Sequence, residues 1–557
     1  MTMTERRTVH ILPPRSYSLC RCIGQYLYAS LMINHHSQHI IVTMDTWSAL
    51  STFQLLVITV ITLGLIKLVV HVRGQFAHWQ KKVPHIKGIP VFGSPWKFYF
   101  QRMSFAEYIQ SVYDRYQDAR YVGTIDFSTP VFVLRDPELI REVAIKSFEQ
   151  FPDHRTFLSE EMDPIFGKNV FSLRGDRWRE MRNTLSPSFT ATKMRFMFEL
   201  VSKCASNFVG HLYEHPEVCS SIEGKDIFTR YTNDVIATVA FGISVNSLKH
   251  QDNEFYKNGV DITSTFTSLR GLLKLLFARA NPRFSRKIGV SVIPRSSTKF
   301  FWNTIAETVS TRDRQGIIRQ DMLHLLMQAR DKHKSPTDPV IIDDIVAQAF
   351  IFFLAGFDTS STLMSYMAYE LALNQDVQDR LRAEIDRYLA EGNGEITYEA
   401  LSRMEYMEMV ISETLRMYPP VLVIDRLCWR KFQLPPAGSG YESVTLEPDD
   451  MTWFPVYALH HDPKYFPDPE KFDPERFNEK NKENIVPYTY IPFGVGPRQC
   501  IGNRFALMET KILMVHLLSK FILKPNSRTS IPLVFRRRGF TLMPEDGFWI
   551  ALEKREV

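Results

Sequence analysis

Apolar positions first gather into one uninterrupted run near the start of the chain. Trp47 to Ile66 are twenty uncharged residues. A helix of that length spans roughly 30 Å, the thickness of a bilayer core. Downstream, most of the chain reads as helix. Ile341 to Asn374 forms a long, nearly all-apolar pattern. Its uncharged stretch, Ile345 to Phe357, is only thirteen residues before Asp358 interrupts it, which predicts a buried central helix and not a second span. Asn374 to Gly392 is amphipathic, with Gly392 where a C-terminal cap belongs. From Trp429 to Trp453 the pattern shifts to Pro, Gly and alternating residues, which predicts a hairpin-rich patch. No repeat or low-complexity tract interrupts the body. The fold class that follows is mainly α with a smaller β region, preceded by one N-terminal transmembrane helix.

The flanks of the apolar run give it a direction. Lys67, Arg73, Lys81, Lys82 and Lys87 follow it, and the twenty positions before Trp47 hold no Lys or Arg. This bias places the rest of the chain in the cytosol. A cleaved signal peptide is the alternative, but its apolar region is usually shorter. Residues 1–43 carry Arg6, Arg7, Arg15 and Arg21 against Glu5 alone, a faint likeness to a mitochondrial presequence. Met44, followed by Asp45, is a natural alternative start. Residues 67–95 read as a basic linker stiffened by Pro84, Pro90 and Pro95, and residues 96–557 as the globular body.

Composition narrows the class. With 45% hydrophobic and 23% charged residues among 557, the chain holds ample material for a large core, which excludes a disordered protein. Lys+Arg 67 against Asp+Glu 61 leaves a formal charge of +6, so a dedicated nucleic-acid binder is not indicated. Six scattered cysteines without C-x-x-C spacing exclude a zinc cluster or a dense disulfide framework and favour a reducing compartment.

The chemistry concentrates at Phe493 to Gly502, FGVGPRQCIG. A lone cysteine, Cys500, follows a Gly/Pro loop and precedes a helix pattern, where backbone N–H groups can stabilise a thiolate. Gly494, Gly496 and Gly502 allow close backbone approach to a large flat cofactor, and Arg498 is placed to neutralise an acid group. A buried structural cysteine is the competing reading. The segment resembles the haem-binding loop of the cytochrome P450 family, F-x-x-G-x-R-x-C-x-G, with every fixed position present. The resemblance implies the cytochrome P450 fold, haem b (iron-protoporphyrin IX) as cofactor, Cys500 as axial ligand to the iron, and Phe493 packed beside the sulfur. A thiolate ligand pushes electron density onto iron and favours O–O cleavage.

Three further segments agree. Glu413 and Arg416 stand in E-x-x-R spacing, which alone describes an ordinary i,i+3 salt bridge; with Arg476 in Pro474–Phe477 they resemble the family's Glu–Arg–Arg structural triad. Ala355-Gly356-Phe357-Asp358-Thr359 puts a glycine, an acid and an alcohol in an apolar helix, which is costly for packing alone. It resembles the oxygen-activation motif, which implies that Gly356 makes room for dioxygen, Thr359 hydrogen-bonds the bound oxygen or its water, and Asp358 relays protons. Trp178 and Arg182, in W-x-x-x-R, resemble the family's haem-propionate contacts, and Arg155 and Arg426 fall where further propionate arginines occur.

Taken together, the resemblance implies a monooxygenase in the endoplasmic reticulum membrane, similar to insect members that oxidise foreign compounds; a mitochondrial location is the alternative. NADPH would supply electrons through NADPH–cytochrome P450 reductase, with cytochrome b5 as a further donor. The reductase would dock near Arg177 and Arg179. A haem-thiolate isomerase or dehydratase acting on a peroxide, and a haem sensor or carrier, are the competing functions. The implied pocket takes a lipophilic small molecule and is lined from Phe157 to Val170, from Phe266 to Phe284, by Phe353 and Ala355, and by Val421 to Ile424 and Phe540 to Met543. The stretch Leu269 to Phe277 would meet membrane lipid or pack in the core.

Overall fold

The computed structural model describes residues 51–52, 54–67, 69–70, 79, 82–89, 92–127, 129–155, 158–280, 282–319, 321–332 and 342–556. The expectations for residues 1–43, Met44, Trp47 to Leu50, Arg73, Lys81, Pro90 and Phe157 fall outside them. Two compact units divide the chain, Met1–Val70 and His71–Val557. In the first, Gln54–Lys67 is an apolar helix. Its Leu55, Ile58, Ile61 and Leu65 are exposed, and the Thr59 hydroxyl donates to the Leu55 carbonyl at 2.7 Å, which satisfies that polar group inside the helix.

The second unit begins earlier than its composition suggests. Pro84 to Ile89 and Gly93 to Ser94, expected as free linker, lie along strand β1 (Tyr121–Asp126). Ile86 N donates to Gly123 O at 2.9 Å and Ser94 N to Ile125 O at 2.8 Å. An extended Pro/Gly segment keeps its backbone groups unpaired, and a sheet edge can satisfy them. β2 (Thr129–Leu134) pairs antiparallel with β1 and parallel with β7 (Met451–Phe454), which in turn pairs antiparallel with β4 (Ile424–Leu427). The expected hairpin patch is there: β5 (Phe432–Leu434) faces β6 (Val444–Leu446). A third sheet joins β3 (Ile222–Glu223), β9 (Trp549–Lys554) and β8 (Phe521–Lys524).

Helices make up the rest. In chain order, those that position the site are α1 (Gly175–Leu185), α2 (Gly224–Ile236), α3 (Glu254–Thr267), α4 (Leu269–Ala280), α5 (Ile342–Leu373), α6 (Gln375–Glu391), α7 (Glu405–Met417) and α8 (Asn503–Lys520). Among the described residues, α5 is the helix long and apolar enough to cross a membrane, yet 67% of its most apolar window is buried in the protein. It is the central helix the sequence predicts. Asp343 and Asp344 in its first turn complement the helix dipole. Helix α6 ends at Gly392 as expected, but for a different reason. Gly392 has φ −96°, and the left-handed backbone falls on Asn393 and Gly394. A Cβ on Gly392 would lie 2.0 Å from the Glu395 carbonyl oxygen, so close approach excludes a side chain there.

The Glu413–Arg416 pair is wholly buried on α7. Arg416 Nε and Nη2 donate to the two Glu413 oxygens at 2.7 and 2.8 Å. Arg416 also donates to His460 O and Pro469 O. Arg476 Nε reaches Glu413 Oε1 at 3.3 Å. Breaking a buried pair leaves an uncompensated charge. Arg416→Met is therefore expected to lower unfolding free energy by ~3–5 kcal/mol in urea titration, whereas Lys431→Met, at the exposed Lys431–Glu447 pair, should change it by less than ~1 kcal/mol. Equal effects would contradict the assignment.

Candidate active site

The cysteine loop is shaped before any side chain acts. Cys500 N donates to Phe493 O at 2.9 Å and Gln499 N to Gly496 O at 2.9 Å, which closes the loop and sets Phe493 beside Cys500. Gly494 and Gly496 have φ of 79° and 77°, a region that favours glycine. A Cβ on Gly496 would also stand 2.2 Å from the Ala144 carbonyl oxygen, whereas one on Gly502 meets nothing nearer than Phe189 at 3.9 Å. Gly496 thus serves packing and Gly502 leaves open space. The loop's leading shoulder hangs on His460: Ile491 N donates to His460 Nε2 at 3.0 Å, while His460 Nδ1 meets Arg416 O at 3.2 Å. Nδ1 is therefore the protonated nitrogen, and burial holds the ring neutral, well below its ordinary range.

Cys500 is exposed, yet its densely enclosed position pushes the thiol up, against the Gly502 amide and the Arg182 charge. An accessible group with crowded surroundings lies on the wall of a cavity. Arg182 Nη2 donates to Gln499 O at 2.8 Å, so this guanidinium braces the loop from α1. On α5, Ala355 and Thr359 are exposed although most neighbouring positions are buried. That i,i+4 pair marks a gap beside the helix. Phe189 links the two walls, near the Gly502 backbone and 5.9 Å from Phe352 of α5 between ring centroids.

At the cysteine loop, buried guanidiniums have open donors. Arg498 stacks on Trp178 at 3.9 Å and donates to Pro152 O, Asp153 Oδ1 and Leu173 O. Arg426 donates to Asp425 O and Val495 O. Arg498 Nη1 and Arg426 Nε have no protein partner. Burial pushes Arg498 down to about 9 and Arg426 down to about 10. An unpartnered buried donor costs roughly 1–3 kcal/mol, and carboxylates are its natural acceptors. This donor set fits the two acid groups of a haem.

Several expectations meet a different geometry. Arg155 is turned to β1, where Nη1 donates to Asp126 Oδ2 at 2.6 Å. His154 beside it binds Asp425 Oδ1 at 3.0 Å and stacks on Phe171. Burial works against the Asp425 charge, but His154, the Arg155 amide and Arg426 outweigh it and hold the carboxyl below its usual range. A Cβ on Gly356 would meet Ile236 of α2 at 3.1 Å, so this glycine serves the close packing of α5 on α2. Asp358 pairs with Lys225 of α2 at 2.9 Å. Phe353 is fully buried against Phe301 and Phe357 and belongs to the core. Arg177 is paired with Glu160, and Arg179 with Glu149 and Asp176, all at the exposed surface.

His154, Asp153, Asp425, His460 and Lys225 are absent from the sequence-based site. Asp153 and His154 precede Arg155 directly in the chain, but nothing in a linear pattern says which side chain turns inward.

A thiol on a cavity wall, flanked by buried guanidiniums with open donors, describes a site for a large, flat, dianionic cofactor. The cytochrome P450 family profile matches residues 83–551, and the chain belongs to the cytochrome P450 family. Similar curated proteins include cytochrome P450 9e2 of Blattella germanica, 46% identical over 88% of this chain and 97% of that protein. Cytochrome P450 9c1 of Drosophila melanogaster is 40% identical, covering 86% and 95% respectively. Cytochrome P450 6j1 of Blattella germanica is 37% identical, covering 86% and 94%. The chain is an oxidoreductase of the monooxygenase type, with haem b as its cofactor.

Glu509 on α8 is fully enclosed beside Ser360 of α5, and burial raises its carboxyl to about 8 from an ordinary value of 4.5. The folded protein keeps a proton that the unfolded chain releases, so stability declines as pH rises between about 4.5 and 8. Glu509→Gln is expected to flatten that decline and raise Tm at neutral pH relative to acid pH in calorimetry. An unaltered pH dependence would contradict it.

Proposed function

We propose that this chain is a membrane-anchored monooxygenase that inserts one atom of O2 into a lipophilic small molecule and reduces the other to water, with NADPH electrons delivered by a separate reductase. The observation that carries the reading is Cys500 on the cavity wall with Arg426 and Arg498 holding open donors nearby. Bound through Cys500, the haem would supply binding and reductive activation of dioxygen.

The chain's own residues do the rest. The Gly502 amide and Arg182 hold negative charge on the sulfur. Arg426, Arg498 and Trp178 receive the acid groups and fix the cofactor's rotation. Thr359 donates its hydroxyl proton to Ala355 O at 2.7 Å, which turns its lone pairs to the gap. In that state it holds a water or a protonated oxygen by accepting a hydrogen bond. Asp358 stands one residue away as the acid of the same turn. Ala355, Val421 and Ile424 offer apolar surface to substrate, consistent with a lipophilic molecule.

Membrane attachment is part of the proposal. The run Trp47 to Ile66 would span the bilayer, with residues 67 onward on the cytosolic face of the endoplasmic reticulum. A second surface is suited to lipid. Leu269, Leu273 and Phe277 of α4 are exposed, as are Phe284 and Ile288. No Asp or Glu occurs between Asp261 and Glu307, while Arg270, Lys274, Lys287 and Arg295 do. Exposed apolar side chains among cations suit an anionic membrane interface. A groove of about 1040 Å³ opens there, lined by Leu269, Leu273, Phe277, Val290 and Ile293 among others, and offers substrate an entry from lipid. Foreign lipophilic compounds are the substrates this reading assigns.

Dithionite-reduced protein with carbon monoxide should show a strongly red-shifted Soret band that is absent in Cys500→Ala. A band at the position of His-ligated haem in folded wild type would overturn the thiolate assignment. Thr359→Ala should retain the band while hydrogen peroxide released per NADPH rises at least severalfold; unchanged coupling would remove Thr359 from the site.

A further inference from the structure

The acid of the oxygen-activation turn is held from an adjacent helix. Lys225, in the first turn of α2, donates to Asp358 O at 2.8 Å, Ser361 Oγ at 2.7 Å and Thr362 Oγ1 at 2.8 Å. It also pairs with Asp358 Oδ1 at 2.9 Å. An ammonium has three protons, so these four acceptors use its donor capacity completely. All four belong to one turn of α5, directly beside Thr359.

Other acids near Lys225 are engaged elsewhere. Glu223 accepts the Asp226 and Phe548 amides. Asp226 pairs with Arg230 at 2.9 Å and accepts from the Tyr256 hydroxyl. Among the described residues, Asp358 is the carboxylate paired with Lys225. Successive helix residues diverge by roughly 100°. The acid is therefore drawn towards α2 while Thr359 looks into the gap. The pair is only partly covered, with side chains 18% and 34% exposed, so water can reach it.

We propose that Lys225 is a positioning residue for proton delivery. It holds Asp358 on the α2 side and fastens the turn that presents Thr359. This rests on the monooxygenase reading above. Without substrate, electrons from NADPH have two fates: O2 + 2e⁻ + 2H⁺ gives H2O2, and O2 + 4e⁻ + 4H⁺ gives two H2O. Cleaving the O–O bond to make water requires protons delivered in place, so peroxide formed per NADPH measures delivery independently of the electron supply and needs no known substrate.

The test uses the full-length haem-loaded protein with NADPH and a microsomal NADPH–cytochrome P450 reductase, comparing wild type, Lys225→Met, Lys225→Arg, Asp358→Asn and the Lys225→Met/Asp358→Asn double variant. Lys225→Met should cut the water-forming share about threefold, a typical size for coupling within one ion-pair network, and Lys225→Arg should restore part of it. The double variant should match Asp358→Asn alone. As a readout without turnover, the C–O stretch of the reduced carbon monoxide complex should shift in Lys225→Met and not in the surface control Lys431→Met. A lowered Tm with unchanged partition and stretch would make Lys225 a packing residue only, and additive effects would separate it from Asp358; either overturns the proposal. A wild type lacking the red-shifted carbon monoxide band would instead overturn the monooxygenase reading beneath it, a result recognisable before any variant is compared.

Discussion

The arrangement of the site depends on one buried ion pair. Glu413 and Arg416 lie one helical turn apart on α7, both fully excluded from solvent. Taking two such charges out of water costs several kcal/mol each, and only complete hydrogen bonding offsets it. Here the partners come from the irregular chain that follows: Arg416 binds the carbonyls of His460 and Pro469, and Glu413 accepts the Asp473 amide and Arg476. A stretch poor in regular structure thereby gains a fixed path. His460 passes that order on, since its two nitrogens tie the Arg416 carbonyl to the Ile491 amide. The loop that carries Cys500 begins just beyond. The cysteine loop is thus positioned from a charge pair that lies outside it.

Helix α5 answers a second constraint. A helix buried along most of its length has to satisfy every polar group from within the protein. Its hydroxyls do so by donating back along the helix, Thr359 to Ala355, Ser361 to Phe357, Thr362 to Asp358 and Ser365 to Ser361. From outside, Thr232 and Lys225 of α2 add donors to the same carbonyls. Concentrated polarity in an apolar helix is costly unless paired in this way. The consequence is a turn whose side chains sort by direction: the acid and small hydroxyls towards α2, Thr359 and Ala355 towards the gap.

Electrostatics explains the remaining wall. Arg498 is bound by the Asp153 carboxylate and Arg426 by the Asp425 and Val495 carbonyls, with the Asp425 charge favouring its cation, and neither set uses all of their donors. Arg155, of the same residue type, is instead directed to Asp126 and Thr129. Which way an arginine turns is decided by the partners the fold places around it and not by its own place in the chain.

The amino-acid sequence by itself determined the helical body, the buried central helix, the hairpin patch, the cysteine loop and the Glu–Arg–Arg set. These rest on local periods, turn residues and motif spacing, which short-range physics imposes. Tertiary structure alone decided where side chains of similar chemistry point. It drew Asp358 to Lys225, set Gly356 against Ile236, directed Arg155 to Asp126, and brought in His154 and His460. It also took Pro84 to Ile89 onto the sheet edge, because a backbone with unpaired groups binds whatever edge the fold presents. Spacing along a chain specifies neighbours on one element; which partner stands across from a side chain is set only when separate elements pack.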